Sequence, residues 1–171
     1  RMERYLQLCS NYNMVVADCT TPANMFHLLR RHMKWNFRKP LIVFTPKSLL
    51  RDELAVSTKE ELVNGAFKEA IDDTSVDKSK VKSLVFCTGK FYYDLYRERE
   101  RLERKDVALV RIEQLFPLPI AQLKDIIATY PNVTDYVWAQ EEPKNMGAWG
   151  YMLMNFDLVK LRLASRRVYS A

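Results

Sequence analysis

Residues 83–112, SLVFCTGKFYYDLYRERERLERKDVALVRI, decide the fold class of this chain. Ser83 to Cys87 is a short apolar run that predicts a buried strand, and Gly89 marks a turn after it. The charged stretch that follows predicts a helix to about Arg104, and the run Val107–Ile112 predicts a second strand. A strand, a helix and a second strand in this order are typical of two parallel strands joined by a crossover helix.

The same alternation continues on both sides of this unit. Repeated strand–helix units imply a mostly parallel sheet with helices on both faces and right-handed crossovers. We therefore predict an α/β fold, a three-layer sandwich, for residues 67–169. Its buried strand residues should include Leu84, Val85, Phe86, Leu109, Val110, Ile112 and Val137. The further predicted strands are residues 13–19, 41–44, 67–71, 133–139 and 166–169, and the further predicted helices are residues 2–9, 22–34, 57–62, 120–129 and 149–158.

Charge and glycine content limit the classes of function. The net charge of +6 would permit binding to nucleic acid. However, basic and acidic residues alternate, as in residues 97–105, which is typical of a solvated helix face with ion pairs rather than a phosphate-binding track. Only four glycines are present in 171 residues, which argues against a glycine-rich phosphate loop. An anionic small ligand would use the positive charge equally well.

Cysteine spacing and hydropathy suggest the cellular compartment. Cys9, Cys19 and Cys87 are odd in number and widely spaced, so they fit neither a disulfide framework nor a metal site. Reduced thiols in a cytoplasmic protein are the simplest interpretation. No apolar run is long enough for a membrane span, so we expect no membrane contact.

The segment TTPANMFHLLRRH, residues 20–32, predicts a helix that carries a histidine among cations. Thr21 can cap this helix, and Pro22 suits its first position. A spacing of about 100° per residue puts four apolar side chains on one face: Met25, Phe26, Leu29 and Met33. His27 falls on the opposite, polar face with Arg30, Arg31 and Lys34, so we do not expect it in the core. This arrangement suits an anionic ligand, although a solvated basic face explains it equally well.

A second candidate site follows from the ends of the predicted strands. Thr45, Lys90 and Gln140 each come at the end of a strand, and ligands of open α/β sheets gather at the carboxyl ends of strands. Lys90 also stands at a helix N-terminus, where backbone N–H groups favour an anion. One glycine does not make a phosphate loop, and Gly89 can serve the geometry of a tight turn alone, so the structural interpretation of this turn ranks first.

Four blocks, in order along the chain, carry a resemblance to a known family. They are residues 20–51 (TTPANMFHLLRRHMKWNFRKPLIVFTPKSLLR), 87–95 (CTGKFYYDL), 111–119 (RIEQLFPLP) and 140–149 (QEEPKNMGAW). With these blocks the chain resembles the thiamine diphosphate-dependent 2-oxoglutarate dehydrogenases, the decarboxylating components of the 2-oxoglutarate dehydrogenase complex. The resemblance implies that residues 1–55 are the C-terminal part of a transketolase-type pyrimidine-binding domain. Residues 56–171 would form a transketolase-type C-terminal domain, and the boundary lies in the linker of residues 51–65.

The resemblance also implies an activity and its cofactors. The full-length protein would decarboxylate 2-oxoglutarate with thiamine diphosphate and Mg²⁺ and pass the succinyl group to a lipoyl-bearing succinyltransferase component. It would act as a homodimer, in the cytoplasm of a bacterium or the mitochondrial matrix of a eukaryote. The family's Gly-Asp-Gly motif with its following asparagines does not occur in these residues. We therefore expect a C-terminal fragment that binds neither cofactor and is inactive alone.

The resemblance further implies roles for particular residues. His27 would contact a carboxylate of the substrate. Some family members bind acetyl-coenzyme A as an effector, and the residues that match that site are Thr45, Lys90, Gln140 and Gly147.

Two other classes of function stay open at this point. One is an independent effector-binding module for an acyl-coenzyme A or another anion. The other is a basic nucleic-acid-binding domain, but the chain lacks the interleaved aromatic and basic residues expected of such a face. We therefore predict no nucleic-acid partner.

Overall fold

The computed structural model describes residues 2–170. These residues form six α-helices, a 3₁₀ turn at Lys47–Arg51, and eight strands in two sheets. The helices are α1 (Met2–Gln7), α2 (Pro22–Lys34), α3 (Lys59–Val63), α4 (Phe91–Arg101), α5 (Ile120–Ala128) and α6 (Trp149–Asn155). The strands are β1 (Val15–Ala17), β2 (Leu41–Val43), β3 (Ala70–Ile71), β4 (Ser83–Cys87), β5 (Val107–Ile112), β6 (Gln114–Phe116), β7 (Asp135–Pro143) and β8 (Arg162–Arg166).

The larger sheet has five strands in the order β3-β5-β4-β7-β8. β4 pairs in parallel with β5 on one side and with β7 on the other, and β8 is parallel to β7. Only β3, at the edge, is antiparallel to its neighbour. The prediction of a mostly parallel sheet is therefore confirmed.

Helices cover both faces of this sheet. The chain moves from β4 to its neighbour β5 in one direction and from β5 to β7 in the other, so right-handed crossovers place α4 on one face and α5 on the other. Leu123 of α5 and Met152 of α6 pack in the same core as Leu84 and Phe86 of β4. The three-layer α/β sandwich is thus confirmed. Six of the seven predicted core residues are buried, and Val85 is partly buried.

The smaller sheet joins the two halves of the chain. Its order is β2-β1-β6, with β1 parallel to β2 and antiparallel to β6. β6 comes from the C-terminal half and was not predicted, because a three-residue strand directly after β5 carries no periodic signal of its own. This pairing fixes the two halves against each other.

Several predicted boundaries shift in the structure. The last strand is Arg162–Arg166 rather than residues 166–169, and α4 ends at Arg101 rather than near Arg104. The short linker helix begins at Lys59 rather than at residue 57, and Thr58 is its cap and forms a capping box with Glu61. Such shifts are expected because the sequence signals for helix and strand ends are weaker than those for their interiors.

Candidate functional site

The N-terminus of α2 is built as the sequence predicts. Thr21 has an extended backbone conformation (φ −123°, ψ 151°), and its hydroxyl accepts a hydrogen bond from the backbone N–H of Asn24 at 3.3 Å. Pro22 occupies the first helical position. The cap begins the helix at a defined residue and thereby sets where His27 lies.

The orientation of α2 is the opposite of the one predicted. Its buried residues are Ala23, Asn24, His27 and Leu28. Three residues of the predicted apolar face lie at the surface instead: Phe26, Leu29 and Met33 are 48%, 49% and 70% exposed. The expectation that His27 stands on a polar face outside the core is therefore wrong, since its side chain is 3% exposed. The period of a helix shows which side chains share a face, but not which face packs against the protein.

The imidazole of His27 packs against α3. Its Nε2 lies 2.8 Å from the backbone carbonyl oxygen of Glu61, which can only accept, so Nε2 carries the proton. Its Nδ1 is buried and has no partner among residues 2–170. A Cβ atom at Gly65 would lie 2.8 Å from Nε2, so this close approach requires glycine. The free position of His27 is thus Nδ1, which can donate a hydrogen bond to an anion only when the ring is doubly protonated.

The cations predicted beside His27 are separated from each other. Arg30 is exposed. Arg31 forms an ion pair with Glu69 at 2.7 Å and stacks on the ring of Phe67, with its guanidinium carbon 4.2 Å from the ring centre. Because Arg31 is already neutralised, it adds little positive potential at His27.

Glu113 connects the C-terminal half of the chain to the start of α2. It is fully buried between β5 and β6. Its carboxylate accepts hydrogen bonds from the backbone N–H and the hydroxyl of Thr20, at 2.8 and 2.6 Å, and from the side-chain amide of Asn24 at 2.8 Å. Burial raises the pKa of Glu113, whereas Arg111 and the hydrogen bonds from Thr20 and Asn24 act to lower it. Sequence reasoning missed this residue, since nothing in the local pattern indicates a partner 93 residues away.

The predicted effector residues meet in part. Thr45, Lys90 and Gln140 line one cavity of about 360 Å³ between the two halves of the chain. Gly147 does not line it and lies instead in a separate cavity beside α1 and α6. The three residues named from strand ends thus line one space, although Gln140 lies within β7 rather than after it, and Gly147, which only the resemblance added, does not line it.

Lys90 is not a free cation in this cavity. Its Nζ lies 2.5 Å from a carboxylate oxygen of Glu141 and 3.8 Å from one of Asp94. The hydrogen bond that Lys90 donates to Glu141, with smaller contributions from the negative charges nearby, raises the pKa of Lys90. An anionic ligand would therefore have to compete with Glu141 for this lysine.

Gln140 organises the loop that follows β7. Its Oε1 accepts from the indole N–H of Trp138 at 2.8 Å and from the backbone N–H of Trp149 at 3.0 Å. Its Nε2 donates to the backbone carbonyls of Met146 at 2.8 Å and Pro143 at 3.1 Å. Both polar atoms of the amide are engaged, so in this arrangement Gln140 shapes the cavity wall.

Asp18 is a cavity residue that sequence reasoning missed. It is 6% exposed, and its Oδ1 has no hydrogen-bond partner among the residues described. The carboxyl group packs on Gly89 (φ +59°), where a Cβ atom would lie 2.2 Å from Oδ2. Burial raises the pKa of Asp18 well above its usual range, and Glu113 and Glu142 raise it further. Burial and the two nearby carboxylates thus favour the protonated form of Asp18.

Residues 2–170 offer neither an activated cysteine thiol nor a cluster of metal ligands. The three cysteines are free, and burial raises the pKa of Cys87 to about 12 and of Cys9 to about 11. Such thiols carry little thiolate at neutral pH.

No group of three or more His, Cys, Asp or Glu side chains in residues 2–170 could hold a metal ion. None of the helices described is both long and apolar enough to cross a membrane.

Two family models match consecutive parts of the chain. Residues 1–53 match the model described as "Transketolase, pyrimidine binding domain", and residues 56–169 match that described as "2-oxoglutarate dehydrogenase C-terminal". The resemblance inferred from the four sequence blocks is therefore confirmed.

Individual relatives agree with these matches. The chain is 49% identical to the 2-oxoglutarate dehydrogenase E1 component of Haemophilus influenzae over 97% of its own length and 18% of that protein. It is 50% identical to the E1 component of Azotobacter vinelandii over 87% of its length and 16% of that protein. It is 48% identical to the 2-oxoadipate dehydrogenase complex component E1 of Rattus norvegicus over 97% of its length and 20% of that protein. The chain thus spans no more than about a fifth of these relatives, and none of them supports an independent effector-binding module.

Proposed function

The chain belongs to the 2-oxoglutarate dehydrogenase C-terminal family, and we propose that it is the C-terminal part of a 2-oxoacid dehydrogenase E1 component. The full-length protein decarboxylates 2-oxoglutarate and transfers the succinyl group to the lipoyl domain of a succinyltransferase component. The observation that carries this proposal is an identity of 48–50% to E1 components over most of the chain. The site of action is the cytoplasm of a bacterium or the mitochondrial matrix of a eukaryote.

A second candidate substrate is 2-oxoadipate, which is one methylene longer than 2-oxoglutarate. It is favoured by the 48% identity to the mammalian 2-oxoadipate components. A site that distinguishes the two acids gains only about 1–3 kcal/mol from one methylene, so the same family can serve either.

The cofactor expected in the full-length protein is thiamine diphosphate with Mg²⁺, and the match to a transketolase pyrimidine-binding domain supports it. The described residues do not fit the metal–diphosphate part of that group, because they offer no cluster of metal ligands. We therefore derive no catalytic step through the cofactor.

His27 is the residue of this chain that we assign to the substrate. A carboxylate of the 2-oxoacid would accept a hydrogen bond from Nδ1 of the doubly protonated ring, while the Glu61 carbonyl holds Nε2–H. The fixed Nε2 contact orients the ring, so binding needs no further ordering of this side chain. His27 is buried in this chain. The substrate must therefore reach Nδ1 either after α3 moves away or through a binding pocket that other parts of the full-length protein help to form.

The cavity between the two halves is the proposed site for acetyl-coenzyme A as an effector. It is supported by the convergence of Thr45, Lys90 and Gln140 on one space of about 360 Å³. The phosphate groups would bind Lys90 in place of Glu141. The test is activation of the full-length protein by acetyl-coenzyme A. It should be lost in Lys90→Ala and kept in the control Lys105→Ala, an exposed lysine outside the cavity.

The proposed homodimer is supported by the surface of α2. Phe26, Leu29 and Met33 form an exposed apolar stripe, which is typical of a surface that another subunit covers.

The activity itself is tested with the purified full-length protein, thiamine diphosphate and Mg²⁺. Carbon dioxide release is measured with 2-oxoglutarate and, separately, with 2-oxoadipate. A higher kcat/KM for 2-oxoglutarate supports the first candidate, and a higher value for 2-oxoadipate supports the second. Release from neither acid, by a protein that is folded, would overturn the proposal.

A further inference from the structure

A polar cavity distinct from the two sites above lies beside α4. Its volume is about 340 Å³. Its walls come from β5, the first two turns of α4, the loop after β3, the cap of α2 and the segment before and within α3. The polar residues around it are Thr21, Glu61, Asp72, Asp73, Thr74, Ser75, Tyr92, Tyr93, Tyr96 and Arg111. Neither His27 nor the predicted effector residues line this space.

Arg111 is the cation of this cavity. Its guanidinium carbon lies 4.3 Å from the ring centre of Tyr92, so the ring fixes the plane of the group. One terminal nitrogen, Nη1, donates to the hydroxyl of Thr20 at 3.0 Å. Its Nε is buried without a hydrogen-bond partner. Among residues 2–170, no carboxylate forms an ion pair with Arg111.

The nearest buried carboxylate reaches Arg111 only indirectly. The hydroxyl of Thr20 accepts from Arg111 and donates to Glu113 at 2.6 Å. Glu113 is occupied by further donors, the backbone N–H of Thr20 and the amide of Asn24. The Thr20 hydroxyl therefore links the two charges without direct neutralisation of Arg111.

The acidic residues around the cavity are already paired elsewhere. Asp73 forms an ion pair with Arg99 and accepts from the backbone N–H of Leu109 at 2.9 Å. Asp72 forms an ion pair with Lys78 and accepts from the hydroxyl of Tyr130 at 2.6 Å.

The third carboxylate, Glu61, is bound to the backbone N–H of Thr58 in the capping box at 2.7 Å. All three acids thus have their own hydrogen-bond donors, and none of them is bonded to Arg111.

We propose that this cavity binds a small oxyanion, a carboxylate or a phosphate group, through the guanidinium of Arg111. A planar guanidinium with unused N–H donors matches two oxygens of such a group, and its stacking on Tyr92 holds the fork in place. The tyrosine rings beside it give the ligand an apolar wall. This site lies apart from the proposed substrate and effector sites, so it does not depend on the function proposed above.

The test is isothermal titration calorimetry of the full-length protein with inorganic phosphate and, separately, with succinate, at constant ionic strength. At least one of the two anions should bind. Arg111→Gln should weaken that binding about tenfold or more, the loss expected for a charge-assisted hydrogen bond. Arg101→Gln removes an exposed arginine at the end of α4, outside the cavity, and should leave the affinity unchanged. Preference for phosphate or for succinate identifies the kind of oxyanion.

A second variant covers the case in which Arg111→Gln fails to fold. Thr74 is exposed at the rim of the cavity, so Thr74→Trp should fill the space without any change to Arg111 and should also weaken binding about tenfold or more. Wild-type affinity in folded Arg111→Gln, or in Thr74→Trp, would overturn the proposal. Binding of neither anion at concentrations on the order of 10 mM would also overturn it.

Discussion

The carboxylate of Glu113 accepts hydrogen bonds from both the backbone N–H and the hydroxyl of Thr20, at 2.8 and 2.6 Å, across 93 residues of sequence. Thr20 immediately precedes the residue that caps α2, so this contact ties the helix that carries His27 to the C-terminal sheet. Glu113 therefore helps to fix the relative position of the two halves, together with the pairing of β1 with β6.

Glu113→Ala should destabilise the fold strongly. The substitution leaves buried donors on Thr20 and Asn24 without an acceptor, and each unsatisfied donor costs about 1–3 kcal/mol. We expect a loss of roughly 3 kcal/mol or more in the free energy of unfolding, measured by urea denaturation. Glu53→Ala, an exposed glutamate in the linker, is the control and should change stability little. A loss below about 1 kcal/mol would mean that the donors find other acceptors.

Asp18→Asn should change how stability depends on pH. The pKa of Asp18 is raised in the folded protein above the usual value of 3.8, so the folded state keeps a proton that the unfolded chain has released. Because the unfolded state then binds fewer protons, wild-type stability falls as pH rises above about 4 towards the folded pKa. Asparagine removes this titration.

The measurement is the melting temperature of Asp18→Asn and wild type across about pH 4.5 to 8. The difference should shift in favour of the variant as the pH rises. Asp157→Asn, an exposed aspartate, is the control and should follow the wild type. A difference that stays constant with pH would show that Asp18 is ionised in the fold.

His27→Ala in the full-length protein should lower kcat/KM for the 2-oxoacid about 10- to 100-fold, the effect of one lost charge-assisted hydrogen bond. Steady-state kinetics together with a melting curve separate this loss from misfolding. His32→Ala is the matched control, because His32 lies on the same helix and its ring packs beside Trp35 instead. An unchanged kcat/KM would make His27 a purely structural residue.

Gly147→Ala should be destabilising, whereas Gly150→Ala should not. Gly147 has φ +68°, and a Cβ atom there would lie 3.0–3.1 Å from the amide of Gln140. We expect a loss of about 1–2 kcal/mol from the backbone strain and the close contact. Gly150 lies in α6 with nothing within 4 Å of the new methyl group, so alanine should add roughly 0.5–1 kcal/mol there. Equal melting temperatures for the two variants would contradict this assignment.

Phe26→Glu should weaken the proposed homodimer of the full-length protein. The side chain is 48% exposed in the apolar stripe of α2, so a charge would be buried if another subunit covers it. Sedimentation velocity should show monomer at concentrations where the wild type is dimeric. Leu102→Glu changes a leucine of similar exposure at the end of α4 and should leave the dimer intact. A dimeric Phe26→Glu protein would place the subunit interface elsewhere.

The strand–helix order and the cap of α2 follow from the sequence alone, because both depend on neighbouring residues. The apolar run of β4, the β-branched run of β5 and the hydroxyl of Thr21 act within a few positions of the chain. The convergence of Thr45, Lys90 and Gln140 was predicted from strand ends, but it also depends on how the two sheets pack. Thr45 follows β2 of the smaller sheet, whereas Gln140 lies within β7 of the larger one.

The packing of α2 and the partners of the site residues were decided only by the tertiary structure. The helix period could not show that His27 faces inward and Phe26 outward, because that choice depends on α3 and on the segment around Gly65. Lys90 is neutralised by Glu141, and Oδ1 of Asp18 has no hydrogen-bond partner among residues 2–170. Both facts depend on residues that the chain brings together from distant positions. Such contacts leave no local periodic signal, so they become visible only once the two halves pack against each other.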